Sequence, residues 1–275
     1  MRTLLAAGLL SAGTAGSALA QQGVDLSVGY TDFTTWTLLG SALAQNDTPG
    51  NGFTYSNLIL THTGAGDQSG AGYAQRALTM DFNQAFSFSF HFFIPASDQT
   101  RGDGMTFVLS DAPGLGGGGS GLGYEGLGGA SVAFAIDTFH FDGEPVSPSL
   151  QILAGGSVTP LAATETGLGD AIRDPNYQWL ATVSYVPSGH DDQTGTLTGT
   201  IDHLNLGSFS VNAAVDFSGL AGVPVYYGFT ASNGLATDGH YVTSGVPVAV
   251  PEPQSWALML SGGLLLGWWT RRRLR

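Results

Sequence analysis

Two carboxylates and a run of glycines carry the chemistry that this chain could do. Asp103 sits in the turn Gly102-Asp103-Gly104, Asp137 closes the apolar run that starts at Ser131, and ten of the sixteen residues from Gly114 to Gly129 are glycine. An ionised carboxylate only accepts hydrogen bonds, and it can take a pair of them from neighbouring hydroxyl donors. Glycine lacks a Cβ, so a loop built from it lets backbone N–H groups come close to a polar ligand. Together these suit a shallow, hydroxyl-rich ligand such as a sugar. For the glycines by themselves, a surface connection between two core strands is the stronger reading. A phosphate-binding loop is not supported: Gly121-Leu122-Gly123-Tyr124-Glu125-Gly126 fits G-x-G-x-x-G but opens no helical pattern, and the chain has no lysine for G-x-x-x-x-G-K-[ST].

The elements that must position these residues read as strands. The apolar segments are short, rich in β-branched and aromatic residues, and separated by Gly, Asp, Asn and Pro. Strands are expected over 57–63, 76–80, 85–94, 105–110, 131–139, 150–154, 179–186, 195–201, 208–215 and 223–232. In 85–92 the phenylalanines fall on every second residue, so all four share one face and leave serines and His91 on the other. No stretch of ten residues in 21–245 has a convincing helical period. Many short strands at this spacing predict an all-β sandwich of antiparallel sheets.

Charge and composition narrow the function. Between Gln21 and Val250 lie twenty acidic residues and three arginines, a net charge of −17. Such a surface repels nucleic acid and anionic lipid, whose binding needs Lys and Arg. The abundance of Val, Ile, Leu, Phe and Tyr provides a core, so the charge does not mean disorder. No cysteine is present, which removes disulfides, thiol nucleophiles and thiolate metal ligands.

The two ends read as targeting segments. Residues 1–20 combine Arg2, the apolar run Leu4 to Leu10 and the exit Ala18-Leu19-Ala20, which is the pattern of a secretory signal peptide. Residues 246–275 hold Pro251-Glu252-Pro253, a short apolar segment from Trp256 to Trp269 expected to be helical, and an arginine cluster from Arg271. Fourteen or so residues fall short of the roughly 20 that span a bilayer comfortably. These three elements in this order resemble a PEP-CTERM sorting signal. The resemblance implies processing by an exosortase, membrane contact only through that helix before processing, and delivery to the cell envelope, outer surface or extracellular matrix. Residues 21–245 remain as one domain.

Within that domain the order of segments resembles the legume-type (L-type) lectins and their bacterial relatives. The likeness runs through Gly40-Ser41-Ala42, Leu58 to Thr61, Ser87 to Ile94, Gly102 to Leu109, the glycine loop, Ala135-Ile136-Asp137-Thr138-Phe139, Trp179 to Tyr185, Val211 to Phe217 and Tyr227 to Ser232. It implies a concanavalin-like jelly roll of flat and curved sheets and a non-enzymatic carbohydrate-binding protein, its partner a glycan or polysaccharide. It implies that Asp103 follows a cis peptide and accepts from two sugar hydroxyls. A backbone donor is placed near Gly119 or Ser120, and a last contacting loop lies within Asn233 to Gly239, with Ala236, Thr237 and Asp238 as its contacts.

The chain departs from the family at the metal site. The family's E-x-D-T-[FY]-x-N pattern and later His read here as Ala135, Asp137, Phe141 and Ser149. Loss of the Glu and the His argues against a transition metal. Asp137, the Phe139 carbonyl, Asp142 and Glu144 could still offer the oxygen ligands calcium prefers. Calcium binding and plain solvation of an acidic loop stay open as equal alternatives. Phe141 also replaces an Asn implied to touch sugar, a place that Asp142 could take after a one-residue shift. Two other functions stand beside the lectin. One is a structural matrix protein that keeps the fold without the sugar; the other, weaker because residues 132–138 hold a single acid, is a glycoside hydrolase.

Overall fold

The computed structural model describes residues 22–26, 31–48, 54–97, 100–174 and 179–244. The expected signal peptide and the C-terminal apolar helix with its arginines lie outside these residues. Among the described residues no helix is long and apolar enough to cross a membrane.

Fifteen strands form there, joined by loops and four short 3₁₀ turns: β1 (Gln22–Asp25), β2 (Thr37–Gly40), β3 (Leu43–Asp47), β4 (Tyr55–Thr61), β5 (Ser69–Tyr73), β6 (Phe86–Phe93), β7 (Gly104–Ser110), β8 (Ser131–Asp137), β9 (Ser149–Ala154), β10 (Ala162–Glu165), β11 (Trp179–Pro187), β12 (Thr194–His203), β13 (Gly207–Asp216), β14 (Tyr226–Ser232) and β15 (His240–Ser244). One sheet has the order β13-β12-β11-β6-β15-β4-β3, with β1 beside β6; the other runs β10-β9-β8-β7-β14-β5-β2. This is the expected all-β jelly roll. Its pairing is antiparallel with one exception, the parallel pair of β1 with β6. The expected strand over 76–80 is instead an extended segment held by one bridge, Leu78 to Val225.

Alternation along β6 builds the core. Phe86, Phe88, Phe90 and Phe92 are buried while the residues between them are half-exposed. Their rings meet those of the facing sheet, Phe88 and Phe90 at 5.0 and 5.7 Å from Phe107, and Phe90 at 4.7 Å from Phe229. Each such side chain contributes about 1.5–3 kcal/mol by leaving water. The inter-sheet packing leaves no room at Gly199 of β12. A Cβ there would lie 2.1 Å from the Phe134 ring. Gly199→Ala should therefore destabilise the fold by about 1–3 kcal/mol through overpacking, seen as a lower melting temperature.

The second sheet is covered on both faces. All seven residues of β7 and of β8 are buried, because the outer face packs under Leu122, Tyr124 and Leu127 of the glycine-rich segment. That segment is not the bare, bendable loop its composition suggests. Gly116 donates to the Gly123 carbonyl at 2.7 Å, Gly117 to Glu125 at 2.8 Å and Gly123 to Gly117 at 2.8 Å. The buried Tyr124 hydroxyl meets Ser131 Oγ at 3.0 Å. A Cβ at Gly116 would sit 2.5 Å from the Glu125 carbonyl oxygen, so glycine is needed here for the backbone to fold onto itself.

Candidate functional site

Asp103 lies just before β7, on the chain that enters the covered sheet. The Gly102–Asp103 peptide is cis. The Asp103 amide donates to the Ser232 carbonyl at 3.1 Å, and its carbonyl accepts from the amides of Thr138 (2.8 Å) and Phe139 (3.2 Å) and from Thr138 Oγ1 (3.1 Å). The turn is thus clamped between the ends of β14 and β8. Gly104 has φ +151°, and a Cβ on it would fall 2.4 Å from the Ile136 carbonyl oxygen, so the strand pair closes this tightly only with glycine at that position.

The carboxylate faces a cavity of about 490 Å³ lined by Thr100, Asp103, Gly118 to Ser120, Phe139, Phe141 and Gly234 to Ala236. Oδ2 of Asp103 is buried and has no hydrogen-bond partner among the described residues. Two glycines approach it: a Cβ on Gly234 would lie 3.3 Å from Oδ2 and one on Gly119 3.9 Å. Burial pushes the Asp103 pKa up to about 6, the Gly234 amide pulls it back, and the charge of Glu144 adds to the rise. Leu235 and Phe141, 95% and 59% exposed, stand at the same cavity. The ring of Phe139 lies 6.3 Å from that of Phe141. The cavity therefore joins one acceptor-rich carboxylate to apolar walls, which is how a pyranose, with hydroxyl edge and C–H face, can be held.

Of the residues named from the sequence, the structure brings Asp103, Gly119, Ser120 and Ala236 together around this cavity. Thr237 faces elsewhere: its carbonyl accepts from Gly64 N at 2.8 Å and Ser97 Oγ at 2.9 Å, and its hydroxyl meets Ser97 Oγ. Asp238 is fully buried behind the turn. Its Oδ2 accepts from the Gly102 amide at 3.2 Å and its Oδ1 from Arg173 Nη1 at 3.2 Å. Asp142 is exposed and does not line the cavity.

The residues expected to hold calcium do not converge. Asp137 is buried, with Oδ1 accepting from the Phe139 amide at 3.0 Å and Oδ2 from Gln151 Nε2 at 2.8 Å. Glu144 turns its Oε2 to the Phe141 amide at 2.8 Å. Among the described residues no three His, Cys, Asp or Glu side chains form a group fit to hold a metal ion. Burial raises the Asp137 pKa to about 7, Glu144 and Asp103 push the same way, and the Phe139 and Gln151 donors oppose them.

Three residues not singled out from the sequence shape the site. Arg173, in the 3₁₀ turn Gly169–Arg173, pairs with buried Asp238 and with Asp170 at 2.8 Å. Arg101 bonds Asp170 at 2.9 Å and the Thr138 carbonyl at 3.2 Å. Two of the domain's three arginines thus stand directly behind the Asp103 turn. In a domain this acidic, an arginine just after an apolar Ala-Ile pair was the signal available. Gln151 is the third, directly opposite Ala135 in the β8–β9 pair.

The sequence matches no protein-family model and no curated protein. Solved legume lectins share its fold. The lectin from Bauhinia forficata, in complex with GalNAc, superposes with a TM-score of 0.61 at 19% identity, covering 76% of this chain and 90% of its own. Basic winged bean lectin with Tn-antigen gives 0.60 at 22% identity, covering 78% and 92%. Lectin I-B4 of Griffonia simplicifolia, in a metal-free form, gives 0.59 at 19% identity, covering 80% and 96%.

Proposed function

We propose that this protein is a non-enzymatic carbohydrate-binding protein whose ligand enters the cavity at Asp103. One observation carries the reading: Asp103 Oδ2 is buried with no hydrogen bond of normal geometry, the Gly234 amide and Gly119 stand near it without side chains, and the cavity it faces has apolar walls. A buried acceptor left without a donor costs free energy that a sugar hydroxyl would recover. The legume-lectin fold and the GalNAc and Tn-antigen in two of those structures support the same ligand class. Among the described residues Asp103 is the single acid lining the cavity, so the paired carboxylates of a glycosidase are not offered by them. Residues 1–20 and 246–275 support export, exosortase processing and display on the envelope or in the matrix.

Phe141 favours one second reading, a matrix protein that keeps the fold without the sugar, since an apolar ring occupies the place of an amide. A broad glycan panel separates them. Binding by the folded protein that disappears in Asp103→Ala supports the lectin; silence across the panel supports the structural role. Release of reducing sugar from any glycan would overturn both.

A further inference from the structure

We infer that the side-chain amide of Gln151 holds the wall behind the cavity in place of a metal ion, so that the Asp103 turn is organised by the chain's own hydrogen bonds. The inference deepens the carbohydrate reading, and it rests on that reading only for the identity of the cavity's ligand.

Gln151 is 3% exposed. It has two N–H donors, and both are used: Nε2 donates to Asp137 Oδ2 at 2.8 Å and to Ser149 Oγ at 3.0 Å. The other Asp137 oxygen takes the Phe139 amide at 3.0 Å. The carboxylate therefore meets a donor on each oxygen and presents neither bare. A cation needs ligating lone pairs, but Nε2 points hydrogens at Asp137, the one group that a cation and this amide would both seek. Across the strand pair, Ala135 offers a methyl group where a second carboxylate could have ligated. The nearby Glu144 is turned to the Phe141 amide instead.

The connection from this wall to the cavity is short. Asp137 is the register partner of Gly104, the residue after Asp103. The Phe139 amide that meets Asp137 Oδ1 also reaches the Asp103 carbonyl, at 3.2 Å. Gln151 is thus a positioning residue: it fixes Asp137, which with the Phe139 amide fixes the backbone that aims Asp103.

Two measurements test this without using sugar. The purified protein, stripped with EDTA, should melt at the same temperature as untreated protein, and millimolar calcium or manganese should not raise it. A melting temperature that falls on stripping and returns with either ion would overturn the inference, since a bound ion stabilises by mass action. In Gln151→Leu the Asp137 carboxyl carbon, followed by NMR, should titrate about one pH unit or more above its wild-type position, because the charged form loses a donor in a buried site. An unmoved titration would equally overturn it. Should Gln151→Leu fail to fold, the ion measurement on wild type still decides. A silent glycan panel would sink the carbohydrate reading and leave both of these results as they are.

Discussion

Arg173→Leu should cost about 3–5 kcal/mol of folding free energy, the range for removing one partner of a buried ion pair. Arg173 is buried, and the Asp238 side chain it meets at 3.2 Å is fully so. Leucine fills part of the space but leaves a carboxylate in a poorly solvating interior. The contrast with its neighbour is the informative part. Arg101 and Asp170 also pair, at 2.9 Å, but Asp170 is 69% exposed, so Arg101→Leu should lose only about 0–1 kcal/mol through that ion pair. The double variant Arg173→Leu/Asp238→Leu should recover part of the loss, because the stranded charge goes with its partner. Urea midpoints at unchanged slope measure all three. If Arg173→Leu unfolds within about 1 kcal/mol of wild type, the pair does not clamp this end of the sandwich. Asp238 also receives the Gly102 amide, so the loss should reach the Asp103 turn before the rest of the sheet.

The core strands were readable because their pattern is local. In β6 the phenylalanines at every second position face the other sheet, and β11 repeats the alternation with Trp179, Ala181, Val183 and Tyr185, β12 and β13 with residues of their own. The strands that sequence reading misses have no such pattern. β5 is Ser-Gly-Ala-Gly-Tyr, and its glycines are required by close backbones: a Cβ on Gly70 would meet the Leu60 carbonyl oxygen at 2.1 Å. β3 and β10 lie at sheet edges, β3 with all but Ala44 exposed and β10 with no residue fully buried, and β2 is a half-buried edge of four residues. Their place is set by partners far away in sequence, which no local period records. The same division holds at the site. Asp103 and the glycine loop stand out by residue type. The inward turn of Asp238 does not, because it depends on Arg173, which lies 65 residues earlier. Nor does the role of Gln151, which follows from the strand register that sets it opposite Ala135. Acidity and the resemblance to the family's metal-site pattern marked Asp142 and Glu144, and a loop can carry acids without aiming them at one point.

If Asp103 holds the sugar as proposed, affinity should rise with pH through about 6 and level off above it, falling about tenfold for each unit below, because only an ionised carboxylate accepts from two hydroxyl donors at once. Asp103→Asn should bind at least about tenfold more weakly at neutral pH, since hydrogen bonds to a charged partner contribute about 1.5–3 kcal/mol, and its residual binding should not follow pH in this window. Loss of the fold is the competing cause of weaker binding in acid, and the titrating groups of the core speak against it. Asp103 and Asp137 have folded pKa values of about 6 and about 7, above the ordinary 3.8, so the folded chain holds protons that the unfolded chain has released. Their effect destabilises the fold as pH rises from about 4 towards 7 and is relieved as pH falls. His240 works the other way. Buried, with Nδ1 2.7 Å from Thr61 Oγ1, it is pushed from 6.5 down to about 3, so the stability that its neutral form provides above 6.5 is lost as pH falls towards 3. Between about 4 and 6 two carboxyls favour the folded chain in acid and one imidazole opposes them. Binding measured by calorimetry at pH 5 and pH 8, beside a melting curve at each, should therefore show weaker binding from a chain that is still folded. A flat pH profile in wild type, or a wild-type slope retained in Asp103→Asn, would remove Asp103 from the contact.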